Sequence, residues 1–270
     1  MRTFSALVRR NVKMFFKDKG MFFTSLITPI ILLVLYATFL ARIYRDSFVS
    51  ALPDGLAIDE KLISATVGGQ LMSSLLAVSC VTVSFCANLL SVQDRVSGAR
   101  KDMLVTPVRR STIAGAYYVG TLATTVIVSL VATAACFVYL AINGWYLSFG
   151  DVALIILDVV ILTMFGTALA SVVNAFLTSN GQASAVGTIV SAGYGFICGA
   201  YMPISQFGGA LGNVMMFLPG TYGTSLIRNH CLGGVYREMS SIGFPSGVVE
   251  GIKDSVDCNI YFFGSSVPIG

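Results

Sequence analysis

Five uninterrupted apolar runs constrain this chain more than any other feature. They cover residues 21–41, 67–90, 113–142, 152–177 and 183–201. Each is long enough to cross a hydrocarbon core of about 30 Å as a helix. Inside lipid every backbone N–H and C=O must bond within the protein, so only helices and closed barrels can span. Barrel strands alternate apolar and polar residues, and these runs do not. The fold class is therefore all-α, a polytopic membrane helix bundle. The third run is long enough that a tilt or a protrusion is expected. Composition agrees: 55% of the 270 residues are hydrophobic, 11% are charged, and mean hydropathy is +0.81. Soluble domains carry about 25% charged residues. A disordered chain, a nucleic-acid-binding domain and most soluble enzymes are excluded.

The few charges predict orientation, because short loops rich in Lys and Arg stay in the cytoplasm. Eleven of the 17 basic residues fall in two segments. Arg2, Arg9, Arg10, Lys13, Lys17 and Lys19 precede the first run. Arg95, Arg100, Lys101, Arg109 and Arg110 lie between the second and third. The 42–66 loop sets Arg42, Arg45 and Lys61 against Asp46, Asp54, Asp59 and Glu60, and the 143–151 loop has no basic residue. The N-terminus, residues 91–112 and the 178–182 turn are expected in the cytoplasm. The loops between them, and the tail from 202 to 270, are expected outside.

Metal chemistry is not indicated. Cys80, Cys86, Cys136 and Cys198 sit in apolar runs, where a thiol acts as a small hydrophobe. No CxxC occurs, and the single histidine, His230, cannot build a multi-histidine centre. No small-residue cleavage site follows a short apolar core, so a cleavable signal peptide is not expected.

Residues 1–20 form their own unit. At 100° per residue, Phe4, Leu7, Val8, Val12 and Phe15 fall on one side and Arg2, Arg9, Arg10, Lys13 and Lys17 on the other. This is the pattern of a basic amphipathic helix in the headgroup plane. Gly20 is expected to turn the chain into the first span. The helix serves either as an orientation signal alone or also as a contact for a cytoplasmic partner.

The 91–112 loop is charged, contains Gly98 and breaks at Thr106-Pro107, since proline removes a donor and biases the residue before it away from helix. It predicts a short helix, a break, then a new helix opening near Ser111 or Thr112. Gly98 is expected to permit close approach of another backbone. Such a helix under the membrane is either a solvated loop or a lever on which a soluble motor pushes.

At these residues the chain resembles the membrane subunit of type-2 ATP-binding-cassette exporters. An acidic-basic-x-x-Gly element opens that family's coupling loop and a Thr-Pro-x-Ser/Arg element closes it. Here they are Asp94-Arg95-Val96-Ser97-Gly98 and Thr106-Pro107-Val108-Arg109-Arg110. Ser97 stands where the family often has an acidic residue, which weakens any specific charge contact there. The family also has a basic amphipathic elbow helix and, after the fifth span, an external re-entrant helical hairpin with a Pro-x-Thr-Tyr…Arg pattern. Pro203, then Pro219-Gly220-Thr221-Tyr222, then Arg228 follow that order. The apolar 211–218 stretch is too short to span, as a partly inserted hairpin should be.

The resemblance implies three units: the elbow helix at 1–20, the transmembrane domain at 21–201, and the re-entrant hairpin and tail at 202–270. It implies an ATPase-coupling group of Asp94, Arg95, Gly98, Arg100, Lys101, Thr106, Pro107 and Arg109. It implies a second permease subunit, identical or not, that meets this one through the first and fifth spans. It also implies a separate ATPase carrying ATP and magnesium, since no GxxxxGK[ST] phosphate loop occurs here. No cofactor and no catalytic residue is expected on this chain. The expected location is the cytoplasmic (inner) membrane of a prokaryote. The family has six spans, so a sixth is expected to be truncated or missing, with Tyr261-Phe262-Phe263 at its threshold. Cys231 and Cys258 are then either bridged, as in some members, or a reduced pair.

Within the spans, Asp158 is the one clear acidic residue. It either faces a cavity or partner or snorkels to the external surface. Asn88 and Asn174 suit hydrogen bonds between helices, and Gly166-Thr-Ala-Leu-Ala170 and Gly195-Phe-Ile-Cys-Gly199 suit close packing within the subunit or between subunits. Thr, Ser, Met and aromatic side chains in the spans fit an amphiphilic or apolar cargo such as a drug or lipid. Export of a lipid-linked polysaccharide, a channel or scaffold without ATP coupling, and a membrane enzyme are the alternatives.

Overall fold

A computed structural model describes residues 2–50, 59–204, 207, 209–262 and 265–267. Eleven α-helices and one short hairpin are present among them. Helix α1 (Arg2–Lys17) is followed by α2 (Lys19–Leu35), a π-turn at Tyr36–Leu40, and α3 (Ala41–Ser50). The bundle continues with α4 (Glu60–Val96), α5 (Ala99–Val105), α6 (Arg110–Asn143), α7 (Phe149–Ala175) and α8 (Asn180–Ile197). Then come α9 (Gly209–Met215), α10 (Pro219–Ser241) and α11 (Ser246–Ser255). Strands β1 (Ile260–Phe262) and β2 (Ser265–Val267) pair antiparallel, with Tyr261 opposite Ser266.

Helix α4 is the axis of the bundle. Most of its length is buried beneath α2, α6, α7, α8 and α10. Among the described residues, three helices are long and apolar enough to cross a membrane: α4, α6 and α7. A fourth crossing arises if α1 and α2, bent by 74° at their break, count as one. That bend falls at Asp18, whose side chain accepts from Met21 N and caps α2, so Gly20 lies inside the helix and not at the turn. The expected fifth span is a helix of 18 residues. It stops at Ile197 because Gly199 takes φ +71°, a left-handed conformation that glycine adopts at little cost.

The chain then re-enters the bundle. A Cβ on Gly223 of α10 would meet Leu162 at 2.7 Å, and Leu162 is the midpoint of α7. Arg237, near the far end of α10, pairs with Asp151 in the first turn of α7. Helix α10 thus starts beside the middle of α7 and runs antiparallel to its N-terminal half, wedged against α4. One expectation is overturned: Tyr261 and Phe262 belong to a strand of the terminal hairpin, not to the threshold of a helical span, because β1 pairs with β2. Phe263 lies outside the described residues.

Candidate functional site

The expected coupling residues gather at the basic end of the bundle, where α1, α5 and the starts of α6 and α8 meet. Asp94 and Arg95 end α4 and, being about 100° apart on the helix, reach in different directions. Asp94 is buried and receives both Nη atoms of Arg10 on α1, at 2.5 and 3.0 Å. It also accepts from the Tyr117 hydroxyl on α6 at 2.6 Å. One carboxylate therefore joins α1, α4 and α6. The Asp94 hydrogen bond raises the Arg10 pKa against an opposing desolvation, so the guanidinium stays charged. Helix α1 is seated further by Asn11, whose amide donates to Ala116 O at 3.1 Å and packs on Gly120, and by buried Phe15.

Arg95 turns instead to α7. Its Nη1 donates to the carbonyls of Ala175 and Leu177 at 2.8 and 2.6 Å, with Asn174 O at 3.4 Å. The last carbonyls of a helix lack intrahelical donors, and a cation there also complements the helix dipole. Arg95 therefore caps α7 and holds the α7–α8 turn to the end of α4.

Helix α5 projects beyond this clamp. Gly98 takes φ +88°, and nothing lies within 4 Å of where its Cβ would be. The glycine is required by the left-handed turn, and within this chain no close approach to another backbone accounts for it. Thr106 is extended, its hydroxyl donates to Met103 O at 2.5 Å, and Pro107 follows. Arg109 occupies the cap position of α6. No residue of α5 is buried, and Val105 is 87% exposed. Arg100 and Lys101 lie on the side toward α6.

A polar seam links the clamp to the interior. Asn174 donates to Asn88 at 3.1 Å, Asn88 donates to Ser171 and Thr121, and Ser84 meets Thr167 at 3.3 Å. Above it, a Cβ on Gly166 would meet Cys80 O and Val81 Cα at 3.0 Å. The small-residue pairs thus serve packing within the subunit: Gly195 is likewise covered by Tyr201.

The residues expected on the external side form a second cluster, about 30 Å away along α4. Pro219 occupies the first turn of α10, Thr221 donates to Met215 O at 2.8 Å, and Tyr222 packs against the apolar cluster that contains Ile204 and Met216. Arg228, 1% exposed, donates to Val256 O at 2.5 Å, Gly199 O at 2.9 Å and Ser74 Oγ at 3.4 Å, with Asp257 at 3.9 Å. Asp257 in turn accepts from Ile204 N, just after Pro203. A buried charge needs such partners to be tolerated.

Asp158 does not snorkel to the surface. It is buried and bonded to His230 Nδ1 at 2.5 Å. His230, Arg237 and Tyr117 were not selected from sequence. One signal was available: His230 and Arg237 are seven residues apart, and so are their partners Asp158 and Asp151, which matches two helical turns. Cys231 and Cys258 are both buried free thiols, so the bridged alternative is not what the structure shows. Cys231 packs in the main core and Cys258 in a second cluster beside Tyr236.

A family model described as ABC-2 type transporter matches residues 2–231, from the start of α1 into α10. No match was found among curated proteins or among solved structures.

Proposed function

The chain belongs to the ABC-2 type transporter family as a membrane (permease) subunit, and on that premise we propose that a separate ATPase drives it through α5 to export an amphiphilic or apolar cargo. In this reading the basic end faces the cytoplasm and the partner chain carries ATP and magnesium. The observation that carries it is the contrast between α5 and its base. The helix buries none of its residues, while Asp94 and Arg95 immediately before it hold α1, α6 and α7. A load applied to α5 therefore reaches four helices through two adjacent side chains. The elbow helix moves with the clamp because Arg10 is part of it. Completion by a second permease subunit belongs to the same proposal, and exposed apolar residues on α2 such as Phe23, Ile27 and Ile31 support a lipid-facing or subunit-facing surface there.

Val105→Asp tests the coupling role. At 87% exposure the substitution leaves the fold intact. We expect reduced co-purification of the ATPase and loss of ATP-dependent cargo efflux, with Val105→Leu retaining both. Unchanged co-purification and efflux in Val105→Asp would remove the idea.

A further inference from the structure

Beside the start of α6 lies a cleft of about 340 Å³ lined by Arg95, Arg100, Lys101, Leu104, Arg110 and Ile113. Four of these six side chains are cationic, and no acidic residue lines the cleft. Asp94 is already engaged by Arg10, and Asp102, the only acidic residue of α5, is not part of the lining. Among the described residues, Arg100, Lys101 and Arg110 enter no ion pair. Arg100 acts on Arg95 as a like charge. Helix α6 adds no counter-charge, since its first turn contains no acidic residue. Four cations converging without an anion repel one another at a cost that an external anion would remove.

We propose that this cleft binds a phosphate-bearing group, and specifically the headgroup of an anionic phospholipid. Leu104 and Ile113 supply an apolar wall next to the charges. Ile113 is also where the apolar stretch of α6 begins. Phosphate and hydrocarbon would thus meet the cleft in the order in which a lipid presents them. Basic pockets between membrane helices take anionic headgroups in this way. Once seated, the phosphate bridges α5 to α6 and caps the cluster that Arg95 ties to α7. Anionic lipid would therefore stiffen the clamp through which α5 acts. The proposal rests on the permease reading only in placing this end at a membrane surface, and it requires no ATPase.

The test uses the full chain, purified in detergent, without a partner. Native mass spectrometry is run with dioleoylphosphatidylglycerol, dioleoylphosphatidylcholine or inorganic phosphate. We expect a phosphatidylglycerol adduct that phosphatidylcholine does not match. Arg100→Gln/Arg110→Gln should weaken it about 25-fold, taking about fivefold per charge near an anionic group. Because the variant could fold poorly, the wild type is also labelled with a lysine acylating reagent in nanodiscs. Lys101 should be protected in phosphatidylglycerol relative to phosphatidylcholine, while Lys61 at the opposite end is not. Equal protection by inorganic phosphate in phosphatidylcholine discs would assign the site to free phosphate and overturn the lipid assignment. Protection of Lys101 only when the ATPase is added would overturn it in favour of a protein contact. Indifference of Lys101 and of the adducts to lipid charge would overturn it outright. Loss of lipid binding with intact ATPase co-purification, or the reverse, separates this proposal from the coupling role of α5.

Discussion

Arg10 and Asp94 are 84 residues apart in sequence and joined by two hydrogen bonds at the basic end of the bundle. The contact ties the N-terminal helix to the end of α4 from which α5 departs. Asp94 is buried, and Arg10 is only partly exposed. Asp94→Ala and Arg10→Ala are expected to be non-additive, with a coupling energy of about 2 kcal/mol for a charged hydrogen-bonded pair. The check is a double-mutant cycle on unfolding in detergent. Strict additivity would show that the two side chains do not interact in solution.

Arg95 predicts a local effect. Without its guanidinium, the carbonyls of Ala175 and Leu177 lose their donor. Arg95→Ala should speed backbone amide exchange in the 176–182 turn and leave 60–70, at the far end of α4, unchanged. Arg95→Lys should fall between the two, since an ammonium can still donate to a carbonyl but cannot reproduce the planar fork.

Glycine positions separate close packing from open space. Gly166→Leu forces α4 and α7 apart, because even a Cβ meets backbone atoms of α4 at 3.0 Å. It should cost about 1–3 kcal/mol, the usual range for overpacking. Gly187→Ala, with nothing within 4 Å, should be neutral or stabilise by up to about 1 kcal/mol. Paired thermal melts read both, and equal melting temperatures for the two variants would contradict the packing described.

Arg228 should hold the tail. Arg228→Met removes the donors to Val256 and Gly199 and the charge opposite Asp257. Breaking one side of a buried ion pair costs about 3–5 kcal/mol. Limited proteolysis should then cut within 243–260 at protease levels that leave the wild type intact. Arg228→Lys should not restore protection, as one ammonium cannot span three acceptors on separate segments.

The thiols give a direct chemical check. All six cysteines are free, so alkylation after denaturation should add six groups whether or not a reductant is present. A mass lower by two groups without reductant would restore a Cys231–Cys258 bridge.

What the sequence determined by itself follows from local physics. Continuous apolar runs require helices because the backbone must bond internally in lipid, and α4, α6 and α7 lie where 67–90, 113–142 and 152–177 placed them. Gly98 and Thr106-Pro107 set the ends of α5, since a left-handed turn and a missing donor act on neighbouring residues. Tertiary structure decided which charges are used. Asp94 reads as an acid in a charged loop until Arg10 and Tyr117 arrive from other helices, and Asp158 stays open between a partnered and a snorkelling carboxylate until α10 folds back with His230. Arg228 was legible only as part of a motif, whereas its work is to bind segments as far apart as Ser74 and Val256. Those pairings depend on where distant helices cross. A pattern with a period of 3.6 residues gives each helix a face, and only packing chooses the partner for that face.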